Sequence, residues 1–275
     1  MNLGNRYVNA MSQDWSRLFA STDFRWRMGL RTGDAHSFFA PTSENAELLT
    51  ERGRLLDESP ADYAMLLDAG IPLLEEMRPF VVACGALDAT REYSLEALGR
   101  ALEPDFVLLL PSVNGPLVVG GVVCFPSSWA LPEKIGRTLE ETHGPVPALN
   151  PQLGERIRTA LDRLAPGLAW ERENWGLARD GNRNHNPHRP RKRLDETVVP
   201  DELWLRVENQ VLYRLPQTGG ILFGIRLEIT PWHELIQSEG AIAGLRRGLE
   251  TMPDEIASYK GVATARQRIL KWIAE

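Results

Sequence analysis

Cysteine is scarce in this chain. Only Cys84 and Cys124 occur in 275 residues, and neither belongs to a CxxC or CxxCH motif. Structural zinc sites, iron–sulfur clusters and covalently attached c-type haem need closely spaced cysteines, so all three are disfavoured. Both cysteines have apolar neighbours, which predicts two buried free thiols.

An excess of positive charge and long apolar runs are also missing. The net charge is -6 and the isoelectric point is near 5.5, and the one basic run, residues 189–193, is short. Nucleic-acid and anionic-membrane binders cluster Lys and Arg, so neither partner is expected. No window approaches the ~20 apolar residues of a membrane span, and the N-terminus lacks the apolar core of a signal peptide. A soluble, cytoplasmic protein is predicted.

The chain also lacks an internal repeat, a glycine-rich phosphate loop and a run of alternating strands and helices, which argues against a doubly wound nucleotide fold. The order of predicted elements instead favours an α+β fold, an antiparallel sheet wrapped by N- and C-terminal helices. A single domain over residues 1–275 is predicted. Its parts are an irregular arm (1–45), a helical region (46–104), a sheet core with an inserted helix and a polar loop (105–231), and a helical end (232–275).

Hydrophobic spacing and turn residues predict the individual elements. The helices lie within 43–68, broken near Ser59 and Pro60, and at 71–84, 94–102, 134–142 and 152–164. The strands are 106–110, 116–125, 168–177, 203–215 and 220–230. The pair Gly120 and Gly121 indicates a bulge or a close backbone approach, and residues 180–199 are predicted to form a polar loop.

His143 is the first candidate functional residue. It lies between a predicted helix and a stop formed by Gly144, Pro145 and Pro147. An imidazole at a helix C-terminus can be a metal or haem ligand, or it can simply hydrogen-bond a free carbonyl at the negative end of the helix dipole. Position alone leaves both interpretations open.

A polar row on a strand is the second candidate. Strict alternation in residues 203–214 places Arg206, Glu208, Gln210 and Arg214 on one face. Such a face is either solvated or the polar wall of a pocket. On the following strand, Arg226 and Glu228 are predicted to lie beside Glu208 across the hairpin.

Two further clusters carry weaker signals. Arg172, Asn174 and Trp175 form a polar group on a short predicted strand. His185 and His188 have a spacing close to that of metal ligands, but an Asn- and Arg-rich loop without carboxylates is a weak metal site.

Six ordered blocks resemble the haem-dependent oxidative N-demethylase family, whose characterised members are the haem subunit of dimethylamine monooxygenase. They are MGLR (28–31), DFVLL (105–109), FPSSWALPEKIGRTLEETHGPVP (125–147), RENW (172–175), RVENQVLYRLPQTGGILFGIR (206–226) and MPDEIASYKG (252–261). The resemblance implies a PAS-like antiparallel sheet that binds haem b non-covalently. It also implies oxidative N-demethylation of a small secondary amine by O2, which yields a primary amine and formaldehyde. Electrons are expected from NADPH through flavin and iron–sulfur cofactors on partner subunits.

Site residues follow from the same resemblance. His143, in the family's H-x-P-V-P motif, is predicted to be the axial haem ligand. Glu208, in the R-V-E motif, is predicted to hold the protonated amine, since a buried cation needs a carboxylate partner.

Three arginines, Arg206, Arg214 and Arg226, are predicted to bind the haem propionates, because guanidinium groups match carboxylates geometrically. The side chains of Trp129, Trp175 and Phe223 are expected in the pocket wall or the core.

One segment departs from the family pattern. After MGLR the residues up to Pro41 differ, in the region expected to form the pocket entrance. A shared fold also does not fix the reaction, so the alternative function is a PAS-like sensor that binds haem or another small ligand without oxygenase activity.

Overall fold

A seven-stranded antiparallel sheet forms the centre of the fold. The computed structural model describes residues 15–19, 22–42, 45–90 and 92–274. The strands are β1 (Arg31–Gly33), β2 (Ala64–Leu66), β3 (Asp105–Leu110), β4 (Leu117–Val122), β5 (Ala169–Ala178), β6 (Trp204–Arg214) and β7 (Ile221–Pro231). Their order across the sheet is β1-β5-β6-β7-β3-β4-β2.

Helices precede, interrupt and follow the long strands, and the α+β prediction is therefore confirmed. They are α1 (Trp15–Leu18), α2 (Ala35–Phe39), α3 (Asn45–Glu58), α4 (Pro60–Tyr63), α5 (Ile71–Ala83), α6 (Leu95–Ala101), α7 (Leu139–His143), α8 (Leu149–Arg163), α9 (Trp232–Leu235), α10 (Glu239–Thr251), α11 (Asp254–Tyr259) and α12 (Arg266–Ala274). None of the helices in the described ranges is both long and apolar enough to cross a lipid bilayer.

The sheet has two faces of different character. One face, which carries Leu205, Val207 and Val211 of β6, packs against the N-terminal helices at one end and the C-terminal helices at the other; we call it the helix-covered face. The opposite face carries Arg206, Glu208 and Gln210, and we call it the polar face. Its apolar end is covered by α8 and by the segment around Trp129 and Leu131.

Two edge strands lie where no strand was expected. β1 falls within the predicted irregular arm and pairs with β5, and β2 falls within the predicted helical region and pairs with β4. Each is three residues long, too short for a periodic pattern, so pairing rather than propensity forms it. Arg31 reinforces β1 through ion pairs with Glu171 (3.0 Å) and Glu173 (2.6 Å). The part of the predicted arm before Trp15 lies outside the described residues.

The helix that leads to His143 is shorter than predicted. Gly136 has a φ of +78°, which ends any continuous helix through 134–142. α7 instead begins after Thr138, whose hydroxyl accepts from the Glu141 N–H while the Glu141 carboxylate accepts from the Thr138 N–H. This capping box satisfies the first free donors of the helix. His143 is the last residue of α7, as expected.

Close backbone contact explains the glycine pair of β4. The register shifts between Leu108 and Leu109, so a bulge lies beside Gly120. A Cβ at Gly121 would lie 2.3 Å from the Phe106 carbonyl oxygen, so only glycine fits. The predictions of a bulge or close approach, and of two buried free thiols, are both confirmed.

Candidate functional site

The pairing of β5 with β6 assembles a polar row. Arg172 lies opposite Gln210, and Asn174 lies opposite Glu208. Residues directly opposite in an antiparallel pair point to the same side, so all four occupy the polar face. Glu208 is 7% exposed and Gln210 is 8% exposed. This burial fits the wall of a pocket better than a solvated surface.

Glu208 is held by neutral amides. Gln210 Nε2 donates to Glu208 Oε2 at 2.9 Å and Asn174 Nδ2 donates to the same oxygen at 3.4 Å. Leu227 of β7 lies opposite Glu208 and makes the adjoining surface apolar. Within the described residues, no cationic side chain reaches ion-pair distance of this carboxylate.

The prediction that Arg226 and Glu228 lie beside Glu208 is wrong. Arg226 pairs with Asn209, and Glu228 pairs with Val207, so both lie on the helix-covered face. The hairpin register decides this, because an offset of one residue moves a side chain to the other face. Arg226 donates to the carbonyls of Phe38 and Ala40, both at 2.7 Å, and forms an ion pair with Glu103.

Arg206 lies on the polar face but is already bonded. Its Nη1 donates to the Asn182 carbonyl at 2.6 Å and its Nη2 donates to the Arg183 carbonyl at 2.8 Å. Longer contacts of 3.4 Å reach the Pro126 carbonyl and the Ser127 hydroxyl. Burial lowers the pKa of Arg206 to about 10. The side chain therefore fastens the polar loop to the sheet.

Arg214 lies six residues beyond Glu208, about 20 Å along the strand. Its Nε is buried and has no hydrogen-bond partner in the described ranges. Together with the positions of Arg206 and Arg226, this shows that the structure does not gather the three arginines predicted for the propionates.

His143 is half-buried and points into a positively charged environment. Burial lowers its pKa to about 4, and the charges of Arg172 and Lys134 act in the same direction. The imidazole is therefore neutral near pH 7, and neutral imidazole is the form that binds metals. No hydrogen bond or ion pair from the described residues reaches this ring. The other four histidine rings have partners: His36 with Cys84, His185 with Asp180, His188 with Glu133 and His233 with Glu234.

Arg172 connects His143 with Glu208 electrostatically. The charge of Arg172 lowers the pKa of His143. Burial lowers the pKa of Arg172 itself, and the charge of Glu208 partly offsets that shift. The Nε of Arg172 is buried and has no partner among the described residues. The three groups from α7, β5 and β6 therefore belong to one cluster.

The end of α11 adds two residues that sequence reasoning did not assign to the site. Lys260 Nζ donates to the Trp175 carbonyl at 2.6 Å and lies 5.6 Å from the Trp26 ring. Burial lowers the pKa of Lys260 to about 8, with Glu208 acting against this shift. Tyr259 is 49% exposed, yet burial raises its pKa and Glu208 adds to the rise. The SYKG end of the sixth motif block was the available signal.

The aromatic residues expected in the wall or core lie in the core. Trp175 is 9% exposed and contacts Phe19, with the ring centroids 5.2 Å apart. Trp129 and Phe223 pack against the apolar cluster at the end of the polar face.

His185 and His188 have separate partners. His185 is 4% exposed, and its Nε2 lies 3.0 Å from Asp180 Oδ1. Its backbone N–H donates to the Pro126 carbonyl, and burial lowers its imidazole pKa to about 4. His188 Nε2 lies 3.1 Å from Glu133. In the part of the chain that the structure describes, no three His, Cys, Asp or Glu residues form a metal-binding group.

A buried ion pair that the sequence did not reveal positions the segment leading to His143. Arg52 is fully buried and contacts Asp105 at 2.5 Å. Asp105 accepts in turn from the N–H groups of Cys124 and Phe125, both at 2.8 Å. The DFVLL block (105–109) is thereby fixed to the start of the block at 125–147.

One known protein family matches the part of the chain that carries these residues. The sequence model of the family described as "haem-dependent oxidative N-demethylase, alpha subunit-like" matches residues 72–270. The match covers more than half of the chain and includes His143, Arg172, Glu208 and Lys260. The chain belongs to this family.

Proposed function

We propose that this member of the haem-dependent oxidative N-demethylase, alpha subunit-like family is the haem-binding oxygenase subunit of an N-demethylase. Its substrate is a small secondary amine such as dimethylamine, which loses one methyl group as formaldehyde and leaves as a primary amine. The observation that carries the proposal is that one arginine, Arg172, acts electrostatically on a neutral, unpaired His143 and interacts with the buried carboxylate of Glu208.

The residues present fit a non-covalently bound haem b of PAS-like placement. His143 would be the axial ligand, because its lowered pKa keeps a ring nitrogen free of protons at neutral pH. The buried Nε of Arg172 has no acceptor within the described ranges, as expected beside a group that carries carboxylates. When bound, haem supplies oxygen activation and one-electron chemistry.

Glu208 is the proposed catalytic residue that binds the ammonium form of the amine. Two amides hold one carboxylate oxygen, which fixes the orientation of the group. A carboxylate partner offsets the cost of moving a cation out of water. Leu227, opposite Glu208, provides an apolar surface for the methyl groups.

Further subunits are part of the proposal, since the family is described as alpha subunit-like. Cys84 and Cys124 lack the close spacing of cluster-binding cysteines. We assign the NADPH, flavin and iron–sulfur cofactors that the family resemblance implies to partner chains that deliver electrons to this one.

Haemin titration of the purified protein tests the cofactor claim. We expect a Soret band in the wild type and its loss in His143→Ala, with an unchanged circular dichroism spectrum. His188→Ala is the matched control, because His188 is an exposed histidine on the loop. A wild type that takes up no haemin, or a His143→Ala variant with the same Soret band, would contradict the proposal.

Formaldehyde release tests the reaction. With dimethylamine, O2, NADPH and a suitable reductase, we expect product from the wild type. Glu208→Gln should keep the Soret band and lose about 100-fold or more in turnover, because an amide cannot neutralise a buried ammonium group. A haem-loaded wild type that makes no formaldehyde would favour the PAS-like sensor.

A further inference from the structure

The arginines near the polar face differ in how far the protein satisfies them. Arg206 donates to backbone carbonyls of the polar loop, and Arg226 donates to two carbonyls and pairs with Glu103. Arg172 and Arg214 are different: within the described residues, no hydrogen bond or ion pair reaches either guanidinium group, and the Nε of each is buried. Arg214 lies about 20 Å along β6 from Glu208, whereas Arg172 lies opposite Gln210, next to Glu208 on the polar face. A buried donor without a partner is unfavourable.

Neighbouring carboxylates are engaged elsewhere. Glu173, next to Arg172 on the chain, forms an ion pair with Arg31 at 2.6 Å. Glu208 accepts from Gln210 and Asn174. Within the described part of the protein, carboxylates therefore lie near Arg172, but none of them contacts it.

A second cation strengthens the positive field. The charge of Arg172 lowers the pKa of Lys260, so the two cations share one environment. Lys260 Nζ is bound to a backbone carbonyl, that of Trp175, rather than to a carboxylate. The surroundings of Arg172 and Lys260 thus favour an anionic group.

We infer that Arg172 is a carboxylate-binding residue of this site and that a ligand supplies the carboxylate. A guanidinium group presents a planar pair of donors that matches a carboxylate. The inference rests on the proposed function and deepens it, because Arg172 takes the role predicted for Arg206, Arg214 and Arg226. The carboxylate can come from a porphyrin propionate or from an N-methylated amino acid whose ammonium group binds Glu208.

Absorbance titration of the cofactor-free protein with haemin and with haemin dimethyl ester separates these sources. The ester has no free carboxylate. If a propionate is bound, Arg172→Met should weaken haemin binding about 10- to 100-fold and leave ester binding unchanged. Arg172→Lys should restore part of the loss. The matched control is Arg214→Met, because Arg214 lies on the same face of β6 and also has a buried, unpaired Nε; it should bind both ligands like the wild type.

If an amino acid is the source, Arg172→Met should bind haemin normally but lose binding of N-methylglycine. Calorimetry with N-methylglycine, with dimethylamine as the comparison ligand, measures this with or without haem. If Arg172→Met binds haemin, its ester and N-methylglycine as the wild type does, the inference is overturned and the proposed function stays intact. A wild type that takes up neither haemin nor its ester would overturn the proposed function, and the calorimetry would still decide the role of Arg172.

Discussion

Two polar clusters centre on Arg206 and Glu208, which are neighbours on one face of β6, and they differ in how completely their charges are paired. The closed cluster consists of Arg206, Asp180, His185 and Arg191. The open cluster consists of His143, Arg172, Glu208 and Lys260. In the closed cluster, Arg206 bonds loop carbonyls, and His185 lies between Asp180 at 3.0 Å and Arg191 at 3.4 Å. In the open cluster, no two of the four charged or imidazole groups pair directly within the described residues.

The comparison shows that pairing, rather than burial or pKa, separates structural polar residues from candidate ligand-binding ones. His143 and His185 both have pKa values lowered to about 4 by burial. His185 is nevertheless bonded on both ring nitrogens, whereas His143 is not. Buried polar groups in folded proteins are normally hydrogen-bonded. The absence of a partner for His143 and for the buried Nε of Arg172 among the described residues therefore supports the proposed ligand site.

The largest expected effect comes from breaking the closed cluster. Arg206→Met should lower the free energy of unfolding by about 4 kcal/mol, because it removes the donors to the Asn182 and Arg183 carbonyls that fasten the polar loop to the sheet. Urea unfolding followed by circular dichroism measures this value. Arg214→Met, at the other end of the same strand, should cost less than about 1 kcal/mol. Equal effects of the two substitutions would mean that the closed cluster is not structural.

Acid should also weaken the closed cluster. The pKa of His185 is lowered in the folded state, so the unfolded chain binds more protons between its ordinary value near 6.5 and about 4. Stability therefore falls as pH decreases through this window, and His185 contributes a loss of about 2 to 3 kcal/mol by pH 4.5. His185→Gln keeps a neutral donor towards Asp180 and should flatten the dependence by that amount. Unfolding curves of cofactor-free protein from pH 7 to pH 4.5 check this, and parallel curves for both proteins would contradict it.

The smallest effect, with the opposite sign, is expected in the open cluster. Arg172→Met should leave the stability of the cofactor-free protein unchanged or raise it by about 1 kcal/mol, because it removes a half-buried charge that has no partner among the described residues. The same urea experiment, without haemin, measures it. A loss as large as that of Arg206→Met would show that Arg172 has a structural partner and would remove the contrast between the clusters.

Most long elements could be predicted from local patterns. Alternation predicted β6 and β7, and the predicted break near Ser59 and Pro60 coincides with the end of α3. β1 and β2 were missed because three-residue edge strands form only when a partner strand is present. The start of α7 was missed because the left-handed Gly136 outweighed the apparent helical spacing around it.

The candidate site was predicted only in part. His143 and Glu208 were singled out by their motifs, and the structure places both in one cluster. Arg226 was placed wrongly because alternation groups the residues of one strand but does not give the register with the next. Arg172 appeared only as one of a polar group, since nothing local distinguishes a paired arginine from an unpaired one.

The sequence by itself determined the fold class, the chemical types of the site residues and the family blocks that carry them, because these depend on local periodicity and residue identity. Tertiary structure decided which charges meet. Arg206 and Glu208 are two positions apart on one strand, yet the first is satisfied by a loop and the second faces Arg172 and Lys260. Whether a polar side chain has a hydrogen-bond partner depends on segments distant along the chain. The open cluster could therefore be recognised only after folding brought α7, β5, β6 and α11 together.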